Sequence, residues 1–223
     1  QEADTAAIPK KLWSSAEQQA FTFAEKEDVL PENMVHTENT FSDFDKDALL
    51  FHMNSTEGPK IAVGDINGDG LDDVYLGGAA GSPGKLFVQE ANGSLVFRNV
   101  PDFVLDRHSE DVDALFFDAD MDGDQDLYVV SGGNEYPYGA RELNDRLYFN
   151  NGNGHFVKSF DPLPTKTGES TSCVKASDFD KDGDLDLFVG VRLKDRSYGI
   201  PQNGYILVNN GRGRFTNQTN NLA

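Results

Sequence analysis

Closely spaced carboxylates recur in three short segments of the chain, at every second position in two of them. The segments read "DINGDGLDD" (Asp65–Asp73), "DADMDGDQD" (Asp118–Asp126) and "DFDKDGDLD" (Asp178–Asp186), and they begin 53 and then 60 residues apart. All three have the pattern Asp-x-[Asp/Asn]-x-Asp-Gly-x-x-Asp. A solvated acidic face would not repeat with glycine always at the sixth position. The pattern therefore indicates three copies of one functional loop.

The spacing fits a calcium loop. Ca²⁺ takes about 6–8 oxygen ligands, and side chains at positions 1, 3, 5 and 9 converge if the chain turns sharply at the glycine. Position 7 would add a main-chain carbonyl oxygen. Magnesium requires a tighter octahedron and is disfavoured. We therefore predict about three structural calcium ions, held by Asp65, Asn67, Asp69, Leu71 and Asp73; by Asp118, Asp120, Asp122, Asp124 and Asp126; and by Asp178, Asp180, Asp182, Asp184 and Asp186.

The loops differ from EF-hands in the segments on their C-terminal side. An EF-hand has glutamate at position 12, where this chain has Leu76, Val129 and Val189. The segments after the loops are β-branched, aromatic and end in glycine, which predicts buried strands rather than exiting helices. A similar acidic stretch, Asp43–Phe51, lacks the glycine and the last acid. We predict that this stretch is a solvated turn before an apolar segment.

Each repeat continues with a predicted hairpin. The turns read "ANGS", "NGNG" and "NGRG" between β-rich runs, within residues 85–100, 146–160 and 205–219. Asn-Gly turns between such runs are strong hairpin signals. Each repeat thus has four antiparallel strands with the acidic loop between the first two, which is the unit of a β-propeller blade. We predict an all-β fold with blades at residues 60–112, 113–171 and 172–223, preceded by a leader, a linker or part of a neighbouring blade at residues 1–59.

The loops and the "YLGG", "VSGG" and "FVG" strands after them resemble FG-GAP/VCBS-type repeats, the blades of integrin α-subunit propellers. The wider sequence is similar to secreted bacterial proteins of the cartilage-acidic-protein-like class. The resemblance covers residues 59–219, implies calcium ligands at the acidic positions above, and transfers no ligand specificity. Integrin-like propellers have seven blades, so we expect further blades from the same longer chain or from partner subunits. A degenerate fourth blade within the first 59 residues is another possibility.

Charge and composition limit the function. The formal net charge is −19, with four acids in the first loop and five in each of the others. We expect no nucleic-acid partner, because nucleic-acid binding needs a basic face. We also expect that the chain does not span a membrane, because no apolar run is long enough. Cys173 is a lone thiol in a predicted strand and cannot form an internal disulfide. Weak calcium sites fill only at extracellular calcium levels. We therefore expect a secreted or cell-surface protein, at the outer-membrane surface if the source is bacterial.

The sequence favours binding over catalysis. The four histidines form no recognisable catalytic or zinc-binding pattern, so we expect no enzyme activity. The connections between second and third strands carry Tyr136, Tyr138, Arg141, Arg196 and Tyr198, residue types that anchor binding surfaces. The leading hypothesis is adhesion or recognition of a protein or glycan. The alternative is a non-catalytic or substrate-presenting part of a larger extracellular glycan-processing enzyme or uptake complex.

Overall fold

The strands form three four-stranded antiparallel sheets, which confirms the predicted all-β fold. The computed structural model describes residues 30–193 and 199–222. In each sheet the four strands are hydrogen-bonded in chain order, as in a propeller blade. Blade 1 comprises β1 (Ile61–Gly64), β2 (Asp73–Leu76), β3 (Lys85–Gln89) and β4 (Leu95–Arg98); blade 2 comprises β5 (Asp111–Phe117), β6 (Asp126–Ser131), β7 (Arg146–Phe149) and β8 (Val157–Lys158); blade 3 comprises β9 (Ser170–Ser177), β10 (Asp186–Leu193), β11 (Tyr205–Val208) and β12 (Thr216–Asn217).

Helical structure in the described residues is limited to single turns. The α-helices are α1 (Asp43–Lys46) and α2 (Pro101–Leu105), and 3₁₀ turns span Arg141–Leu143 and Thr219–Leu222. None of these is long and apolar enough to cross a membrane. Blades 1, 2 and 3 begin at Ile61, Asp111 and Ser170, close to the predicted boundaries at residues 60, 113 and 172.

The first two strands of every blade present the acidic loop in the same register. The residue before the loop pairs with the ninth loop residue, as Gly64 with Asp73, Phe117 with Asp126, and Ser177 with Asp186. The three acidic loops therefore lie at one end of the strands. The β2–β3, β6–β7 and β10–β11 connections, and those between blades, lie at the opposite end.

Blade 2 is packed between its neighbours. All six residues of β6 are buried, because alternate side chains of a strand point to opposite faces and both faces here meet another sheet. Leu127 and Val129 belong to a core shared with blade 1. Tyr128 and Val130 belong to a core shared with blade 3. The central residues of β6, Leu127 to Val130, are therefore continuously hydrophobic or aromatic rather than alternating with polar residues.

The outer face of blade 3 remains exposed in the described structure. Phe188 of β10 is 48% exposed, whereas the aromatic residues at the same place in the other blades, Tyr75 and Tyr128, are buried. The second loop residue shows the same contrast, since Phe179 is 49% exposed while Ile66 and Ala119 are buried. In blades 1 and 2, this face is covered by the next blade.

The segment before blade 1 corrects one prediction. We expected a solvated turn at Asp43–Phe51, but Asp43 begins helix α1 and is fully buried. Its Oδ2 accepts hydrogen bonds from the Ser55 backbone N–H at 3.0 Å and from Ser55 Oγ at 2.5 Å. This local closure removes the carboxylate from solvent, while Leu49 and Phe51, in the predicted apolar segment, are exposed. No strand forms at residues 30–60; residues 1–29 lie outside the described part.

Candidate metal centres

Each acidic loop contains two residues with left-handed backbone. At position 6, Gly70, Gly123 and Gly183 have φ between 83° and 102°, the conformation for which glycine was predicted. Position 4 is also left-handed, with φ of 73° at Gly68, 63° at Met121 and 65° at Lys181. A non-glycine residue in this region carries a conformational cost of about 1–3 kcal/mol. Sequence reasoning missed this second turn, because two copies place an ordinary side chain there.

Short-range hydrogen bonds shape the loops. The position-5 carboxylate accepts from the backbone N–H of position 7 in all three, at 2.8 Å for Leu71, 3.0 Å for Asp124 and 3.2 Å for Asp184. In the first two loops the position-1 carboxylate accepts from the position-6 glycine, at 2.9 Å for Gly70 and 3.1 Å for Gly123. The aspartates at positions 1 and 5 therefore fold the backbone as well as supplying oxygens.

The ninth loop residue is a buried junction. Asp73, Asp126 and Asp186 are at most 1% exposed. Their Oδ2 atoms accept from the backbone N–H of position 2, at 3.1, 2.9 and 2.8 Å. Their Oδ1 atoms accept from a backbone N–H at the end of the third strand, at 2.7–2.8 Å. The donor is the last strand residue in blade 1 and the residue after the strand in blades 2 and 3. Each carboxylate thus ties the start of its loop to the third strand of the same blade.

Two loops bring carboxylates together as a cation site would. Oxygens of positions 1, 3 and 9 lie within 4.8 Å of one another in the second loop (Asp118, Asp120, Asp126) and in the third (Asp178, Asp180, Asp186). In the second loop, Oδ1 of Asp118 and Oδ1 of Asp120 are buried without a hydrogen-bond partner. Burial raises the pKa of Asp126 to about 7. Hydrogen bonds from Asn150 and Ala119 oppose this rise, and neighbouring carboxylates add to it. A cation bound here would supply the missing partner.

The first loop is arranged differently. Both oxygens of Asp65 accept backbone N–H groups of Gly68, Asp69 and Gly70. Burial acts to raise the pKa of Asp65, but these hydrogen bonds outweigh it and lower the pKa. Asn67 donates to Asp69 Oδ2 at 3.1 Å. With asparagine at position 3, this loop has one carboxylate fewer among its predicted side-chain ligands than the other two loops.

Position 7 offers more than the predicted carbonyl oxygen. The Asp184 side chain is buried, and its Oδ1 has no hydrogen-bond partner. Burial and then the carboxylates of Asp182 and Asp186 raise the pKa of Asp184 to about 6. The equivalent Asp124 packs against the hairpin turn, with its Oδ2 2.5 Å from where a Cβ on Gly152 would stand. The sequence signal for this additional carboxylate was the aspartate at position 7 in two of the three copies.

Asparagines link the first two loops to the next blade along the chain. Asn150 of blade 2 donates its side-chain amide to the Ile66 carbonyl in the first loop at 2.7 Å, while its backbone N–H donates to Asp126. Asn209 of blade 3 repeats this with the Ala119 carbonyl at 2.7 Å and with Asp186. The loops are therefore part of the packing between blades, and their geometry and the blade interfaces depend on each other.

The comparison with protein families agrees with this repeated architecture. The sequence matches the FG-GAP-like repeat twice, over residues 65–129 and 118–189. The chain belongs to the FG-GAP-like repeat family. Each FG-GAP-like match runs from the first aspartate of one loop through the strand after the next loop. No curated protein matches the chain. The roles of the individual loop residues as ligands stay predictions.

The opposite end of the FG-GAP-like blades contains an open cleft of about 420 Å³. Its lining comes from the connections between blades, the β6–β7 connection and strands β7 and β8, and includes Arg141, Asn144, Lys158 and Phe160. Arg141, a predicted binding residue, is 87% exposed at its side chain, and Phe160 is 93% exposed. Among the other predicted anchors, Tyr136 donates its hydroxyl to the His108 carbonyl and Tyr138 is exposed. Arg196 and Tyr198 lie outside the described residues.

Proposed function

We propose that the chain is a calcium-stabilised FG-GAP-like propeller module that acts outside the cell or at its surface. The observation that carries the calcium assignment is the pair of buried, unpartnered oxygens of Asp118 and Asp120 beside Asp126. An oxygen-only donor set in a flexible loop favours Ca²⁺ over Mg²⁺ and over transition metals. Three such ions would offset six of the 19 net negative charges.

The extracellular assignment rests on calcium supply and on the family. Extracellular modules bind calcium with Kd of about 10⁻⁴–10⁻³ M, and the low calcium of the cytosol would leave such sites empty. FG-GAP-like repeats are typical of extracellular proteins. Calcium titration of EDTA-treated protein by calorimetry, with Tm measured in parallel, tests this part. We expect saturation at sub-millimolar to millimolar calcium and a higher Tm; no binding at about 10 mM calcium, well above this Kd range, would contradict it.

The ligand-binding role is proposed for the cleft opposite the loops, with a protein or glycan as ligand. The cleft combines an exposed arginine with an exposed aromatic ring, Arg141 and Phe160, a pairing suited to protein interfaces and to stacking on sugars. The proposal assigns no catalytic step to this module. Because the calcium loops lie at the other end, calcium would support binding through stability rather than by bridging to the ligand.

Glycan arrays and protein-interaction screens with calcium-loaded protein test the binding role. A ligand found in either screen should lose at least tenfold in affinity with Arg141→Ala or Phe160→Ala, whereas the exposed, distant Glu90→Gln should bind normally. A ligand whose affinity is unaffected by both cleft variants would contradict the assignment of this surface.

We further propose that another FG-GAP-like blade covers the outer face of blade 3. Phe179 and Phe188 occupy the places that are buried by the next blade in blades 1 and 2. Such a blade could belong to the same longer chain or to a partner subunit. The isolated chain should therefore self-associate in sedimentation experiments, and Phe179→Ser/Phe188→Ser should restore a monomer. A monomeric wild-type chain that binds no more hydrophobic dye than this variant would refute the proposal.

A further inference from the structure

A second group of carboxylates lies at the opposite end of the blades from the calcium loops. Glu38 belongs to the segment before blade 1, Glu110 directly precedes β5, and Glu135 comes after β6. One oxygen of each is hydrogen-bonded: Glu38 Oε1 to His36 Nε2 at 2.8 Å, Glu110 Oε2 to the Ala80 N–H at 2.6 Å, and Glu135 Oε1 to Asn39 Nδ2 at 3.1 Å. The other oxygen of each, Glu38 Oε2, Glu110 Oε1 and Glu135 Oε2, is buried without a partner.

Glu110 directs its free oxygen into the space between these groups. Glu110 is 1% exposed. A Cβ built on Gly58 would stand 3.6 Å from both Glu110 Oε1 and His36 Nε2. A Cβ built on Gly133 would overlap Glu135 Oε2 and stand 3.2 Å from Glu110 Cγ. The carboxyl groups of Glu110 and Glu135 and the ring of His36 therefore lie close to one another around Gly58 and Gly133.

The described side chains around this group leave Glu110 Oε1 and Glu135 Oε2 without a hydrogen bond. Both nitrogens of His36 face acceptors, the Gly77 carbonyl at 3.1 Å and Glu38. Lys46 directs its ammonium to the carbonyls of Asn134 and Tyr136. Burying carboxylate oxygens without a hydrogen bond or a counter-ion is costly.

The pKa of Glu110 agrees with the burial of its carboxyl group. Burial raises the pKa of Glu110 to about 9. The Ala80 hydrogen bond opposes this rise, and the charges of Glu135 and Glu38 add to it. Burial also raises the pKa of Glu135. Buried carboxylates are compensated by a proton, a paired cation or a metal ion. Three unpartnered oxygens from three separate segments favour the metal ion, because one proton would satisfy only one pair of them.

We propose that Glu38, Glu110 and Glu135 form a further divalent-cation site, independent of the acidic loops. The available donors are carboxylate oxygens, since both nitrogens of His36 are engaged, so the site suits Ca²⁺ rather than Zn²⁺. No three of these groups approach within the 4.8 Å seen in the loops, so water molecules would complete the coordination shell. The ion would fasten the segment before blade 1 to the adjoining end of blades 1 and 2.

Counting bound calcium by equilibrium dialysis and mass spectrometry tests the site directly. Glu110→Gln/Glu135→Gln should bind one calcium fewer than wild type, whereas the exposed control Glu32→Gln/Glu90→Gln should bind the wild-type number. The loop variant Asp118→Asn/Asp120→Asn should lose a different ion, so that failure of the loop assignment is distinguishable from failure of this one. An equal calcium count in wild type and Glu110→Gln/Glu135→Gln would overturn the proposal.

Two further measurements keep the test decisive if the double variant folds poorly. The single variant Glu135→Gln, at a half-buried position, should weaken one calcium site at least tenfold and leave the others unchanged. Calcium should also raise the Tm of wild type by more than it raises the Tm of Glu135→Gln, because the variant holds one ion less tightly. An equal rise in Tm in the two proteins when calcium is added to EDTA-treated samples would also overturn the proposal.

Discussion

The asparagine that joins neighbouring blades provides a sharp test of how the loops and the fold depend on each other. Asn150 is 7% exposed, and its amide donates to the Ile66 carbonyl at 2.7 Å and to the Gln125 carbonyl at 3.1 Å. Asn150→Ala removes both hydrogen bonds but keeps the backbone N–H that donates to Asp126. The substitution therefore removes the link to blade 1 together with two bonds inside blade 2, since Asn150 Oδ1 also accepts from the Asn151 N–H at 2.9 Å.

The expected loss of stability can be worked out from these contacts. Each intramolecular hydrogen bond contributes about 1 kcal/mol net, and a buried acceptor left without a partner costs about 1–3 kcal/mol. Ile66 is 1% exposed, so water cannot readily replace the amide. We expect Asn150→Ala to lower the free energy of unfolding by about 2–4 kcal/mol. Asn150→Asp should be worse, because a carboxylate oxygen would then face two carbonyl oxygens.

Urea denaturation in calcium, monitored by fluorescence and circular dichroism, measures this loss. Asn209→Ala should have a similar effect, since Asn209 contacts Ala119 and Leu185 carbonyls in the same way at 2.7 and 3.2 Å. Asn151→Ala is the matched control, because Asn151 is exposed and accepts only within its own turn, from Asn153. If Asn150→Ala and Asn151→Ala both stay within about 0.5 kcal/mol of wild type, the range of an ordinary surface substitution, the proposed coupling between blades is wrong.

Three further predictions concern metal, pH and backbone strain. At about 1 mM calcium, a site with Kd of about 10⁻⁴–10⁻³ M adds about 0.4–1.4 kcal/mol, so EDTA should lower Tm, and an unchanged Tm would argue against structural ions. Burial raises the pKa of Asp145 to about 6, although hydrogen bonds from Thr171, Ser131 and Tyr128 oppose the rise. Protonated Asp145 therefore contributes to the free energy of unfolding fully below about pH 4, and this contribution is lost as pH rises through 6. Asp145→Asn should flatten the dependence of stability on pH in this range, and an unaltered slope would refute the assignment. Lys181 has φ of 65° in an exposed turn, so Lys181→Gly should raise the free energy of unfolding by about 0.5–1 kcal/mol in urea titrations, and a loss of stability would contradict the strain argument.

The local features of the fold were predictable from the sequence because short-range patterns encode them. The Asp-x-[Asp/Asn]-x-Asp-Gly-x-x-Asp repeats predicted the positions of the loops, and the Asn-Gly turns predicted the hairpins. The apolar runs after each loop indicated buried strands, as β6 shows. These signals depend on neighbours within a few residues, and local sequence therefore contains them.

Features that depend on distant contacts were not predictable in the same way. Asn150 looked like an ordinary turn residue, but its amide reaches Ile66 in the preceding blade. Asp43 looked solvated, but Ser55 closes over it. Glu38, Glu110 and Glu135 are far apart in sequence and carry no common motif. Only the stacking of blades and the path of the segment before blade 1 bring these groups together.

Calcium counting on loop variants tests the central claim most directly. Isothermal titration of EDTA-treated protein should show that Asp118→Asn/Asp120→Asn and Asp178→Asn/Asp180→Asn each bind one calcium fewer than wild type, that the combined variant binds two fewer, and that Tm in calcium falls with each loss. Equal calcium numbers in wild type and in the combined variant would show that the acidic loops are not the metal centres, and would contradict the account of this module as calcium-stabilised.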